Sequence, residues 1–143
     1  MGKTRKPTGT VEEIEAAFYD ALSHADLDSL MNLWADDEEI VCVHPGAPRL
    51  VGHAAIRAAW EAIFERGGIH IRPVQTHAVH NMLTVIHHVI EEVQRGPNEP
   101  TDVHILATNV YVKTPHGWRM ALHHASIAPG AIPDEPFHTP VLH

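Results

Sequence analysis

Residues 69–128 read IHIRPVQTHAVHNMLTVIHHVIEEVQRGPNEPTDVHILATNVYVKTPHGWRMALHHASIA, and the reading of this stretch decides the fold. Its β-branched and apolar residues come in runs separated by turn formers, the pattern of strands joined in sequence. One strand is expected from Ile69 to Val79, with Pro73 marking an edge or a bulge because proline cannot donate to a ladder. A second runs from Leu83 to Gln94 and stops at Gly96-Pro97-Asn98. A third spans Val103 to Lys113, and Pro115-His116-Gly117 turns it into a fourth, Trp118 to Ala128. Four consecutive strands with short turns make an antiparallel meander.

Upstream of the meander the period changes to that of helices. Thr10 and Glu13 have capping-box spacing, and Val11, Ile14, Phe18 and Leu22 form one apolar stripe behind them. Tyr19, Asp20 and His24 also share helical spacing, which an exposed, solvated face explains as well as a site does. Asp26 caps a shorter helix carrying Leu27, Leu30, Leu33 and Trp34, which the acidic turn from Asp36 to Glu39 ends. Ile40-Val41-Cys42-Val43 is a short strand stopped by Pro45-Gly46 and Pro48, with His44 at its exit. A third helix follows Gly52, places Ile56, Trp60, Ile63 and Phe64 on one face, and stops at Gly67-Gly68. Helices segregated from an antiparallel sheet define the α+β class. The domain is expected over residues 10–128, between a loose tail of residues 1–9 and a Pro-rich tail of residues 129–143.

At 143 residues the chain suits one domain, and its net charge of −8 disfavours nucleic acid or an anionic membrane as a partner. No run is apolar enough for a membrane span. A single cysteine, Cys42, cannot form an internal disulfide, which fits a reducing cytoplasm. Fourteen histidines are the compositional oddity, and most side chains of this kind are surface or packing groups without chemistry.

Several stretches resemble the nuclear transport factor 2-like superfamily: Ala25-Asp26-Leu27-Asp28-Ser29-Leu30 and Leu33-Trp34-Ala35-Asp36-Asp37. Cys42-Val43-His44-Pro45-Gly46, Gly52, Ala55-Ile56-Arg57, Thr108-Asn109-Val110-Tyr111 and Gly117-Trp118-Arg119 look like its SnoaL-like branch. The resemblance implies a strongly curved sheet wrapped round three helices, an apolar cone between them, and a homodimer through the outer sheet faces. It fixes fold far better than function, since the superfamily hosts isomerases, dehydratases, cyclases and assembly domains.

Ketosteroid isomerases of this superfamily use a carboxylate base, a tyrosine and a protonated carboxylic acid. The matching positions here are Cys42 or His44 for the base, Phe18 for the tyrosine and Asn109 for the acid, so that mechanism is not carried over. A reduced version keeps His44 as proton carrier and Asn109 as the group that orients a carbonyl. Phe18, Trp34, Cys42, Trp60 and Tyr111 are expected to line the ligand pocket. Strand alternation puts His123 and His124 on opposite faces. By resemblance to kinase association domains, His123 looks inward and His124 towards a dimer face. The arginines with which those domains bind carboxylates are matched by Asn109 and Ala125, so carboxylate capture is not carried over either. Cys42 and His44 share a strand face, and His77-x-x-His80 adds donors, but the spacing matches no established zinc site. No metal or cofactor is therefore expected. The resulting expectation is a small apolar or carbonyl-containing ligand handled by acid–base isomerisation, dehydration or cyclisation. The alternative is a non-catalytic ligand-binding or dimeric assembly module.

Overall fold

Thr10 opens α1 (Val11–His24) with both halves of the capping box in place, its hydroxyl accepting from the Glu13 amide and the Glu13 carboxylate accepting from its own. Asp26 caps α2 (Leu27–Met31), which is shorter than its apolar spacing predicts. Leu33 and Trp34 lie beyond the helix, and Trp34 instead forms an isolated bridge with Met120. The chain continues through β1 (Val41–Val43), β2 (Leu50–Val51), α3 (His53–Phe64), β3 (Ile71–His80), β4 (Thr84–Val93), β5 (His104–Thr114) and β6 (Gly117–Ala128). The two-residue β2 is not visible in the sequence, because Pro48 and Arg49 break the pattern around it. This computed structural model describes residues 9–94 and 103–128. The expected tails and the Gly96-Pro97-Asn98 turn lie outside the described residues, apart from Gly9.

The six strands form one curved, open sheet in the order β2-β1-β6-β5-β4-β3. Every neighbouring pair is antiparallel except β1 with β6. The chain is α+β, as its pattern of helices followed by a meander requires. Pro73 sits on the edge strand β3, where its missing donor costs no ladder bond. An extra residue enters β3 between Val74 and His77, with Gln75 at φ 48°, so the edge is kinked by a bulge.

A second bulge has more consequence. Val110 pairs with Leu122 but Tyr111 pairs with Met120, so Ala121 is an extra residue on β6. The inward parity therefore changes along one strand: Met120 is inward before the bulge, and His123 and Ala125 are inward after it.

The inner sheet face carries Val85 and Val89 of β4, Ala107 and Tyr111 of β5, and Met120 and Ala125 of β6, all buried. Against it α1 packs Val11, Ile14, Phe18 and Leu22. The outer face presents aligned rows across the pairing register: Val79, Ile86, Val110 and Leu122, then His77, His88, Thr108 and His124. Val79 and Ile86 are 52% and 37% exposed, so this row is an apolar stripe open to solvent.

The close approach of α1 to the start of β3 is set by glycine. The Ile69 amide donates to the Leu22 carbonyl at 2.8 Å, and a Cβ built on Gly68 meets the Ser23 carbonyl oxygen at 2.1 Å. That obstacle is backbone and cannot rotate away. Gly68→Ala is expected to lower stability by about 1–3 kcal/mol through overpacking, measurable by urea unfolding. An unchanged midpoint would mean that this junction is looser than its geometry.

Candidate ligand-binding site

Glu15 follows Ile14 on the buried face of α1 and is only 8% exposed, so its carboxylate needs partners inside the protein. The sheet supplies three. Tyr111 donates its hydroxyl to Oε2 at 2.5 Å, and the Asn109 amide donates to the same oxygen at 3.1 Å. His87 Nδ1 lies 3.0 Å from Oε1. Asn109 and Tyr111 share the inner face of β5, and His87 is the register partner of Asn109 on β4. A second buried carboxyl, Glu91, accepts from the Tyr19 hydroxyl at 2.6 Å. Burial pushes the Glu91 carboxyl up to about 7, with the nearby Glu15 adding to the rise, while the Tyr19 bond opposes it. Burial also holds the Tyr19 and Tyr111 hydroxyls well above the usual range, each reinforced by its carboxyl neighbour, Glu91 and Glu15 respectively.

These bonds determine one atom's role. Tyr19 gives its proton to Glu91, so its oxygen is free to accept from the Asn109 amide at 3.1 Å. With two acceptors on its nitrogen side, the Asn109 carbonyl oxygen must face the other way. It meets His123 Nδ1 at 2.6 Å. A carbonyl oxygen cannot donate, so His123 must carry its proton on Nδ1 and expose the lone pair on Nε2. The ring is neutral: burial, aided by His44 and His124, pushes it down to about 3.

His123 stands in an aromatic enclosure. Its ring centroid lies 5.0 Å from Phe18 and 6.3 Å from Trp60, and Phe18 meets Trp60 edge-on at 6.1 Å. His44 packs edge-on against the same Trp60 at 4.6 Å, with Phe64 at 5.7 Å from the indole. His44 is partly exposed at the end of β1, its Nε2 3.8 Å from the Cys42 sulfur, and burial pulls its pKa below the usual histidine value. The Cys42 thiol is fully buried and pushed up to about 12 by that burial, so it stays protonated and unreactive.

The structure thus gathers Phe18, Cys42, His44, Trp60, Asn109, Tyr111 and His123 in one region between helix and sheet. Of the lining residues expected from sequence, Tyr111 belongs to the polar network at the carboxylates. Trp34 does not join the enclosure. It is buried on the wall of a cleft of about 870 Å³ with Met31, Asp36, His53, Lys113 and Arg119, and none of His44, Trp60, Asn109 or His123 lines that cleft. Of the two readings open for Tyr19, the solvated face does not hold, since it is 6% exposed. Only Asp20 and His24 remain outside, 3.5 Å apart. His123 faces inward and His124 is exposed. His77 and His80 both lie exposed on the edge strand, and among the described residues no three potential metal ligands converge.

Glu15, His87 and Glu91 escaped the sequence reading, yet β4 carried the signal. Val85, His87, Val89 and Glu91 alternate, so two polar residues share a face with two buried valines.

A family profile described as the SnoaL-like domain matches residues 11–130. A solved structure from Thiobacillus denitrificans, provisionally described as a calcium/calmodulin-dependent protein kinase type II association domain, is 38% identical. It superposes with a TM-score of 0.81, over 87% of this chain and 99% of that one. A structure from Streptomyces avermitilis, provisionally described as a dehydratase of the NTF2-like family, is 29% identical with a TM-score of 0.73, over 82% and 93% of the two chains. An NTF2-like protein of unknown function from Pseudomonas putida shares the fold at 18% identity and a TM-score of 0.71, over 81% and 82%. No curated protein matches the chain.

The raised Glu91 carboxyl has a stability consequence. A carboxyl that folding lifts from 4.5 to about 7 binds its proton more tightly when folded. Stability is therefore full below pH 4.5 and falls as pH rises through about 7, by on the order of 3 kcal/mol. Glu91→Gln removes this titration, so its stability relative to the wild type should rise between pH 4.5 and pH 8 in urea unfolding. A difference that does not change with pH would show that Glu91 titrates like an ordinary carboxyl.

Proposed function

Since this chain belongs to the SnoaL-like domain family, we propose that its cone binds a small, mostly apolar, carbonyl-containing molecule and moves a proton beside the carbonyl. The observation that carries the reading is the chain of bonds Glu91–Tyr19–Asn109–His123, which presents a neutral imidazole lone pair in an aromatic enclosure. A pocket that is mostly apolar with one oriented polar atom recognises a ligand by that atom. His123 Nε2 accepts from a hydroxyl of the ligand, while Phe18, Trp60 and Phe64 hold its carbon frame.

His44 is the proton carrier in this reading. It lies against the same indole, keeps a path to solvent, and has a pKa below the usual value, so it is neutral and able to accept at physiological pH. It takes a proton from the carbon next to the carbonyl. The electron pair of the broken C–H bond moves onto the carbonyl oxygen as an enolate. Return of the proton to a different carbon completes an isomerisation, and loss of a β-hydroxyl as water completes a dehydration. His123 is unsuited to carry the proton because its buried site disfavours the cation strongly.

A second reading, a dimeric assembly module, is favoured by the exposed apolar row of Val79 and Ile86 and by the 38% identical structure described as an association domain. The two readings are compatible, since one uses the inner sheet face and the other the outer.

Native mass spectrometry of the freshly purified protein is expected to show a stoichiometric small-molecule adduct. With the ligand so identified, His44→Ala should lower turnover about 10²–10⁴-fold at nearly unchanged affinity. His123→Ala and Asn109→Ala should instead weaken binding about tenfold. Unchanged turnover and affinity in all three variants would end the ligand reading. The assembly reading predicts that Ile86→Asp shifts a dimer to a monomer in sedimentation velocity. Sedimentation of both proteins as one species of unchanged mass would remove it.

A further inference from the structure

His87 is only 3% exposed, and it stands between two carboxylates of the same helix turn. Nδ1 lies 3.0 Å from Glu15 Oε1, and Nε2 lies 3.9 Å from Glu12 Oε2. Glu12 and Glu15 are three residues apart on α1, so both reach the same side of the helix. Nε2 is buried and makes no hydrogen bond. The ring's hydrogen bond is thus the one to Glu15, and since a carboxylate only accepts, Nδ1 carries the proton. The ring also stands edge-on to Tyr111 at 5.4 Å, which limits how far it can turn.

The Glu15 carboxylate has two oxygens with different duties. Oε2 receives Tyr111 and Asn109, and Oε1 receives His87. The last torsion of a glutamate is broad and nearly two-fold, so bonds to one oxygen alone leave the plane of the group weakly defined. A donor on the opposite oxygen defines it. Together with the Tyr19 oxygen, the same carboxylate then fixes which way the Asn109 amide points, and with it the tautomer of His123.

We propose that His87 is a positioning residue for the ligand site: by clamping Glu15 Oε1, it holds the Glu15–Asn109–His123 chain in the single orientation that bares His123 Nε2. This rests on the reading of His123 as a fixed acceptor, and it adds a residue that touches none of the aromatic enclosure. His87 acts through two intermediaries, so its removal should loosen the site without emptying it.

The test uses the geometry of side-chain amides. An asparagine at this position places its NH₂ near the site of imidazole Nδ1, whereas a glutamine places it near Nε2. His87→Asn therefore keeps the donor to Glu15, and His87→Gln moves the donor towards Glu12. The readout is the pair of His123 ring nitrogen shifts in ¹⁵N-resolved NMR of the ligand-free protein. In the wild type a single Nδ1–H tautomer is expected. His87→Asn should retain it, and His87→Gln should lose it to a mixture of tautomers. If the wild type itself lacks the Nδ1–H form, the acceptor reading of His123 fails, and this proposal with it. If the wild type has that form and His87→Gln keeps it unchanged, the acceptor reading stands and His87 has no positioning role. Should His87→Gln not fold, Glu15→Gln takes its place, because it turns one acceptor of the hub into a donor. An unchanged His123 tautomer there would equally overturn the proposal.

Discussion

The Glu15 carboxylate is the group around which this structure is organised. A charged side chain on the inner face of a helix is costly to bury unless donors are waiting for it. Here the donors come from two adjacent strands of the sheet, so α1 can close over the sheet only when β4 and β5 are paired in their observed register. Apolar contacts supply most of the driving force for that closure, but Val, Ile and Phe tolerate sliding. A carboxylate that needs Tyr111, Asn109 and His87 at once does not. The network thus fixes the position of α1 that the apolar stripe alone leaves loose.

The same requirement builds the site. Each member of the network satisfies a neighbour's buried polar group, and the direction of donation runs from His123 through Asn109 and Tyr19 to Glu91. The orientation of the network is therefore set by the fold itself. Two carboxyls, two phenols and two imidazoles lie within it.

The architecture was legible because it rests on periodicity. The capping box at Thr10, the stripe on α1 and the four-strand meander all follow from spacing, and Pro73 announced the edge strand. The site was legible only where a residue stood out as polar in an apolar context, as Asn109 does on β5. Tyr19 was left open because it adjoins the stripe of Phe18 and also sits in register with exposed residues, and helical spacing alone admits both. Trp34 was placed in the cone because the apolar spacing of α2 continues past Met31. The chain leaves the helix there, and backbone bonds between Leu33, Ala35 and Met120 take its groups over. Glu15 and Glu91 look like solvated charges when read one at a time. Their burial depends on tyrosines 96 and 72 residues away in sequence, which no local pattern reports.

The extra residue at Ala121 carries a further meaning for how such a site changes over time. The bulge sets the parity of β6, and parity alone decides which of two adjacent histidines reaches the Asn109 carbonyl. Pairing the same residues without the bulge would turn the downstream half of the strand inside out. The position beside Asn109 would pass from His123 to Leu122, and His124 would take the place of Ala125. The inward chemistry is thus written partly in where the strand takes up its extra residue. A lineage carrying this fold can change which groups face α1 by moving or straightening this bulge, with no inward-facing residue itself replaced.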